Sequence, residues 1–201
     1  VKTAGDLVAE DGSDSFRREQ RIYAYRDQPF VQVQHTFIND NGDAEFTDVE
    51  RLTMTVPASA GQWRAPVAEG GALDLAAGDS AWHRGDREFI VRDGQPTQGR
   101  LAGTLLATGG GMGVAVRDFW QNYPKGFEVT DDAVRVNLAP DFEAGFYDEF
   151  PFEEEGHQLY YYLRDGTYTL KRGMAKTHDL LLDFGGSVAQ KHARVEIFQR
   201  P

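Results

Sequence analysis

The sequence predicts an all-β fold, a large antiparallel β-sandwich. Three observations carry this. Apolar and polar residues alternate at period 2 along many short segments. Clusters of Gly, Pro, Asn and Asp separate those segments at short intervals. No stretch keeps the 3.6-residue period of an amphipathic helix, and nothing repeats at a fixed period as a propeller or solenoid would. The 201 residues suit one such domain spanning 1–201, since no linker-like stretch divides them.

The elements follow in order. Residues 22–25 and Phe30–Ile38 read as strands around the turn Arg26-Asp27-Gln28-Pro29. Asn39-Asp40-Asn41-Gly42-Asp43 is a strong turn. Leu52, Met54 and Val56 alternate with Thr53 and Thr55 in a half-buried strand. Residues 57–80, rich in Pro, Ala, Gly and Asp, read as a long loop with a short strand at 73–75. Phe89-Ile90-Val91 is a strand that ends at Asp93-Gly94. Residues 101–107 and 114–120 are strands on either side of Gly109-Gly110-Gly111. Val134, Val136 and Leu138 alternate again. Residues 159–163 and 168–170 flank Arg164-Asp165-Gly166-Thr167, a hairpin signal. Leu180, Leu182 and Phe184 share one face of a further strand, and Val195-Glu196-Ile197-Phe198 is expected to close the chain as the last one.

Composition narrows the function classes. The net charge of −11 disfavours a nucleic-acid or anionic-membrane binder, because both need a positive footprint. It also repels a polyuronate at long range, so a site for one needs local cations. The absence of Cys excludes disulfides, thiolate metal sites and a Cys nucleophile, and leaves the redox compartment unread. No apolar run approaches the roughly 18 residues of a membrane-spanning helix. The chain opens at Val1 without an initiator Met or signal peptide, as a processed protein or a segment of a longer one would.

The densest constellation is Arg117-Asp118-Phe119-Trp120-Gln121-Asn122-Tyr123-Pro124-Lys125. Aromatic planes mixed with polar groups are the materials of a site for a polar ligand such as a sugar. If the strand runs through Trp120, Arg117 and Asp118 face opposite sides. Arg117 is a candidate clamp for a sugar carboxylate, and Trp120 and Tyr123 are candidate stacking faces. The competing reading makes Phe119 and Trp120 core, pairs Arg117 with a neighbouring acid, and makes Tyr123-Pro124 a rigid turn.

A second constellation is Gly173-Met174-Ala175-Lys176-Thr177-His178-Asp179. Lys176 and His178 fall on one strand face. A His near its ordinary pKa is a usable general base, and Lys neutralises a carboxylate. That pair suits β-elimination from a uronic acid. Against it, His178 shares its face with Leu180, Leu182 and Phe184, which favours a core histidine. His35 is a candidate substrate contact, although it shares a face with Val31, Val33 and Phe37. His83 is expected in a charged loop. Tyr160 and Tyr162 alternate with Tyr161 and are a candidate stacking surface. The acidic run Asp148-Glu149 and Glu153-Glu154-Glu155 has no EF-hand spacing and reads as a solvated loop, so calcium is possible but not indicated, and no cofactor is expected. No zinc spacing, phosphate loop or hydrolase elbow is present.

Four segments together resemble the central β-sandwich domain of the exo-rhamnogalacturonan lyase/YetA-like family. They are QPFVQVQHTF (28–37), GVAVRDFWQNYPKGFEV (113–129), VRVNLAP (134–140) and GMAKTHDLLLDF (173–184), and the likeness runs from about residue 20 to the end. The resemblance implies a supersandwich like that of galactose-mutarotase-like proteins, set within a large secreted or periplasmic protein of pectin degradation. It implies neighbouring domains of the same polypeptide, one of them a helical toroid, and a polysaccharide or oligosaccharide partner. The implied reaction is β-elimination on a uronate-containing glycan, metal-independent or calcium-assisted. Arg117, Trp120, Tyr123, Lys176 and His178 lie in the matching motifs, which is the only basis for carrying roles to them. On this reading His178 is the base, Lys176 or Arg117 the neutraliser, and Trp120 and Tyr123 line the sugar site. Two other readings stand beside it: a non-catalytic module that contacts carbohydrate or docks a helical catalytic domain, and a mutarotase-like isomerase or hydrolase using Glu128, Asp118 and Asp179.

Overall fold

The computed structural model describes residues 1–8, 14–92, 94–109, 111–148, 163 and 165–200. Its first strands are β1 (Lys2–Val8), β2 (Asp14–Ala24), β3 (Phe30–Ile38), β4 (Phe46–Val49), β5 (Leu52–Pro57) and β6 (Trp63–Pro66). Then come β7 (Ala72–Leu75), β8 (Ser80–His83), β9 (Glu88–Val91), β10 (Thr97–Gln98), β11 (Thr104–Ala107) and β12 (Gly113–Val116). The last are β13 (Lys125–Val129), β14 (Ala133–Ala139), β15 (Tyr168–Lys171) and β16 (Ala175–Asp183), followed by the helix α1 (Val188–Gln199).

Every pairing among these strands is antiparallel. Eight strands form one sheet in the order β1-β2-β3-β16-β12-β11-β6-β7, and six form a second in the order β10-β9-β8-β13-β14-β5. One core joins them. Val33, Val114, Val116 and Leu180 of the larger sheet pack with Phe127, Val129, Val134 and Val136 of the smaller. This is the expected antiparallel sandwich. Its cause is the period-2 pattern, which gives each sheet one apolar face to bury against the other.

A two-stranded ribbon of β4 and β15 lies outside both sheets. Tyr147, Leu163 and Tyr168 are buried beside it with Phe142 and Phe146. Asp165 and Gly166 both hold left-handed φ, as the Asp-Gly turn signal requires. The strand expected at 159–163 lies outside the described residues except for Leu163.

Four readings need correction. The chain closes on α1, not on a strand. Ser187 caps the helix: Gln190 N–H donates to Ser187 Oγ, and Ser187 N–H donates to Gln190 Oε1, a capping box. Val195 and Phe198 then pack on Ala115 and Leu181, on the outer face of the larger sheet. Residues 57–80 hold β6 as well as β7, so they are not one long loop. The strand expected at 114–120 stops at Val116, because Asp118 takes a left-handed φ of 51° and the chain turns. That turn seats Phe119 over Gly103, where a Cβ would stand 2.5 Å from the Cβ of Phe119, and stacks it on Phe127 at 4.7 Å. Finally, His83 belongs to β8 and is fully buried, not in an open loop.

Candidate functional site

The larger sheet carries a groove beside α1. On β3 the alternation sends Val33, His35 and Phe37 inward and Gln32 and Gln34 outward. Register sets Tyr23 of β2 opposite Gln32, and Asp179 of β16 opposite Gln34. With Tyr25, Arg117 and Phe198 these residues line a cavity of about 280 Å³. Tyr23 and Tyr25 are each 46% exposed. Tyr25 Oη donates to Gln32 Oε1 at 3.0 Å. Gln34 Nε2 donates to Asp179 Oδ1 at 3.2 Å, while its Oε1 accepts from Arg21 Nη1 at 3.0 Å. Among the described residues neither the Tyr23 hydroxyl nor the Gln32 amide N–H₂ is spent on another side chain. The groove thus offers aromatic faces, an unspent amide and an unspent phenol, the groups that hold a polyhydroxylated ligand.

Arg117 lines this groove but is not a free clamp. Its Nε and Nη2 donate to Phe198 O at 2.9 and 2.6 Å, and its Nη1 lies 3.6 Å from Asp179 Oδ2. The guanidinium also covers the Phe198 ring at 4.7 Å. Its fork is occupied by the carbonyl end of α1, so the bidentate carboxylate clamp read from sequence is not available in this arrangement.

His178 and Lys176 stand elsewhere. His178 faces inward, opposite His35, and is 2% exposed. Its ring stacks on Phe37 at 5.9 Å, and neither of its nitrogens has a hydrogen-bond partner. Burial, with Lys125 and Lys176 nearby, pushes its pKa down to about 2. An imidazole so hard to protonate and so shielded is not a base that works from solvent. His35 is also buried, at 8% exposed, with its pKa lowered by burial and then by Arg18, so it does not reach the groove as a substrate contact. Lys176 is exposed, yet the surrounding protein lowers its pKa by desolvation. His178 and Arg117 therefore act on opposite faces of one sheet and do not form a joint base-and-neutraliser site.

The aromatic residues of the 117–125 segment also divide. Phe119 is core, and Trp120 is half-buried beneath Arg100, whose guanidinium lies 4.0 Å from the ring centre. Tyr123 is half-buried with its pKa raised, by burial first and then by Asp86. Neither Trp120 nor Tyr123 lines the groove beside α1. Tyr160 and Tyr162 lie outside the described residues, as does the acidic run beyond Asp148. His83 has a structural role: Leu101 N–H donates to its Nε2 at 2.8 Å, which leaves Nδ1–H to donate to Gly85 O at 2.9 Å. Glu128 accepts from Arg135 at 2.7 Å, so Glu128 and Asp179 are each committed to an arginine. Among the described residues no three His, Asp or Glu side chains converge as a metal site.

Sequence reasoning missed Lys125 and the Tyr23–Gln32 pair. Lys125 heads β13 in phase with Phe127 and Val129, a period-2 signal that its ammonium enters the core. It is 2% exposed, and its pKa falls to about 7, chiefly through burial and then repulsion from Lys176. Tyr23, Gln32 and Gln34 were legible as the polar face of two strands, but not as neighbours.

No family model matches the chain, and no curated protein matches it. Solved structures do. The GH36 alpha-galactosidase AgaB from Geobacillus stearothermophilus is similar at a TM-score of 0.46 and 15% identity, over 85% of this chain and 22% of that one. A variant of the GH36 alpha-galactosidase AgaA from the same organism, in complex with raffinose, gives the same figures. A putative aldose 1-epimerase from Escherichia coli K12 is similar at a TM-score of 0.39 and 13% identity, over 90% of this chain and 64% of that one. The chain thus spans about a fifth of the galactosidases' length.

Proposed function

We propose that this chain is a carbohydrate-contacting β-sandwich domain of a larger glycan-processing protein. One observation carries the reading: the groove beside α1 sets two half-exposed tyrosines and an unspent amide around a cavity of about 280 Å³. Rigid aromatic faces next to a few fixed polar groups bind sugar rings at low entropic cost. The glycan class is proposed from the resemblance alone: a uronate-containing polymer such as rhamnogalacturonan, cleaved by β-elimination in the larger protein. Within this chain the buried His178 and the occupied Arg117 favour a supporting role over a self-contained lyase. The partners on this reading are the glycan and neighbouring domains of the same polypeptide, in a secreted or periplasmic setting.

The test is a titration of the chain with rhamnogalacturonan oligosaccharides, followed by amide and side-chain NMR shifts. Shifts that map to Tyr23, Gln32 and Gln34, and that weaken at least several-fold in Tyr23→Ala, support the proposal. Shifts confined to other surfaces, or none across a broad glycan panel, overturn it. In parallel, the ultraviolet absorbance of unsaturated uronate products is expected to stay flat with this chain alone. A rise that vanishes in His178→Ala would instead make the domain a lyase in its own right.

A further inference from the structure

The buried side-chain nitrogens and oxygens that lack a hydrogen-bond partner, among the described residues, lie together. They are His35 Nδ1 and both ring nitrogens of His178, and the two residues are register partners across β3 and β16. Lys125 joins them from the opposite sheet. It points into the core in phase with Phe127 and Val129, is 2% exposed, and makes no hydrogen bond or ion pair with any described residue. Lys176 precedes His178 by two residues on the same face of β16 and is exposed. The charged groups acting on Lys125 are Lys176, which repels it, and Asp118 and Asp179, which attract it. Neither carboxylate forms an ion pair with Lys125 among the described residues, and Asp179 pairs with Arg117.

Buried polar groups are nearly always satisfied, so three side chains with unmet hydrogen-bonding capacity in one place call for a missing partner. Two protonated lysines bring only donors, and an imidazole brings one donor and one acceptor when neutral and two donors when protonated. The two lysines give the cluster a positive charge, which fits an anion and disfavours a metal cation. We propose that Lys125, Lys176 and His178 form an anion site at one end of the sandwich core, which takes a single carboxylate or a small oxyanion. Exposed Lys176 marks the way in. The lowered pKa values of Lys125, Lys176 and His178 describe the site without its anion, and a bound negative charge reverses that shift. The site lies on the inner face of the larger sheet, whereas the groove lies on the outer face, so the inference stands independently of the groove.

The test is thermal melting of the chain in galacturonate, in sulfate, in galactose and in chloride at matched ionic strength. Melting is expected to rise by several degrees over chloride with at least one of the two oxyanion probes, and not with galactose. A response to galacturonate alone assigns a sugar-acid carboxylate; an equal response to sulfate assigns a free oxyanion. Lys125→Met is expected to melt higher than the native chain in chloride and to lose the response. No response above chloride, or a full response retained in Lys125→Met, overturns the proposal. Should that variant not fold, the ring ¹⁵N shifts of His178 in the native chain decide. Movement toward the imidazolium on adding the anion supports the site, and unchanged shifts overturn it. Tyr23→Ala is expected to leave the melting response intact, which separates this site from the groove.

Discussion

Lys125 enters the core as a cation that no described neighbour neutralises, and its proton is correspondingly loose. It is lost at about 7 in the folded chain against 10.5 for an ordinary lysine, which is the value taken for the unfolded chain. Between those values the unfolded chain binds more protons, so stability rises with pH across that window. The slope is at most about 1.4 kcal/mol per pH unit for one group. Urea denaturation at several pH values is expected to show this rise in the native chain and a flatter profile in Lys125→Met. His178 acts in the acid range. Its folded pKa of about 2 against an ordinary 6.5 means that the unfolded chain takes up the proton first as pH falls. Stability is then full above about 6.5 and is lost progressively toward 2. His178→Leu keeps the volume and removes the titration, so its midpoint of acid unfolding is expected to fall to lower pH, as read by circular dichroism. The burial of His178 was legible from its face, shared with Leu180 and Leu182. Its catalytic role was inferred from residue type, and residue type does not say whether solvent reaches the ring. Arg117 misled differently: the carbonyl it binds belongs to Phe198, 81 residues away, and no local pattern encodes that contact.

At the scale of elements, α1 shows how a helix escapes a sequence reading. Its last turn, Val195-Glu196-Ile197-Phe198, is rich in β-branched and aromatic residues and so favours a strand locally. Its buried stripe is Lys191, Val195 and Phe198, so a lysine occupies the position where the apolar period should begin. That lysine is tolerated because its Nζ donates to Gly186 O at 2.9 Å. The available signal was Ser187 followed three residues later by Gln190. Docking depends on Arg194, whose Nη2 and Nε reach Asp183 Oδ1 and Oδ2 at 3.0 and 2.5 Å while Asp183 is buried. Arg194→Ala leaves that carboxylate buried and unpaired, and is expected to cost about 3 kcal/mol or more. Ser187→Ala removes only the cap and is expected to cost about 1 kcal/mol. Chemical denaturation monitored at the helix and at the sheets separates the two. Because α1 supplies Phe198 to the groove, Arg194→Ala is also expected to weaken glycan binding, whereas Ser187→Ala leaves it nearly unchanged.

For the whole molecule, the sandwich was legible because period 2 recurs in strand after strand, and two sheets with one apolar face each have few ways to bury them. The strand order was not. β16 inserts between β3 and β12, so the strand nearest the chain's end lies against one near its start. That insertion brings Asp179 beside Gln34 on the outer face and His178 beside His35 on the inner one. Both candidate sites are therefore products of long-range pairing, and residue types alone mark them only weakly. The net charge of −11 sets a further condition: long-range repulsion slows the approach of an acidic glycan, so its association is expected to quicken as salt is raised.

On the proposed function, the face beside α1 contacts carbohydrate. Its most direct test is the affinity of rhamnogalacturonan oligosaccharides for the native chain and for Tyr23→Ala, measured by calorimetry with folding confirmed for both. Saturable binding to the native chain and a loss of at least several-fold in the variant are expected. Equal affinity in the two, or no heat with any glycan offered, would contradict it.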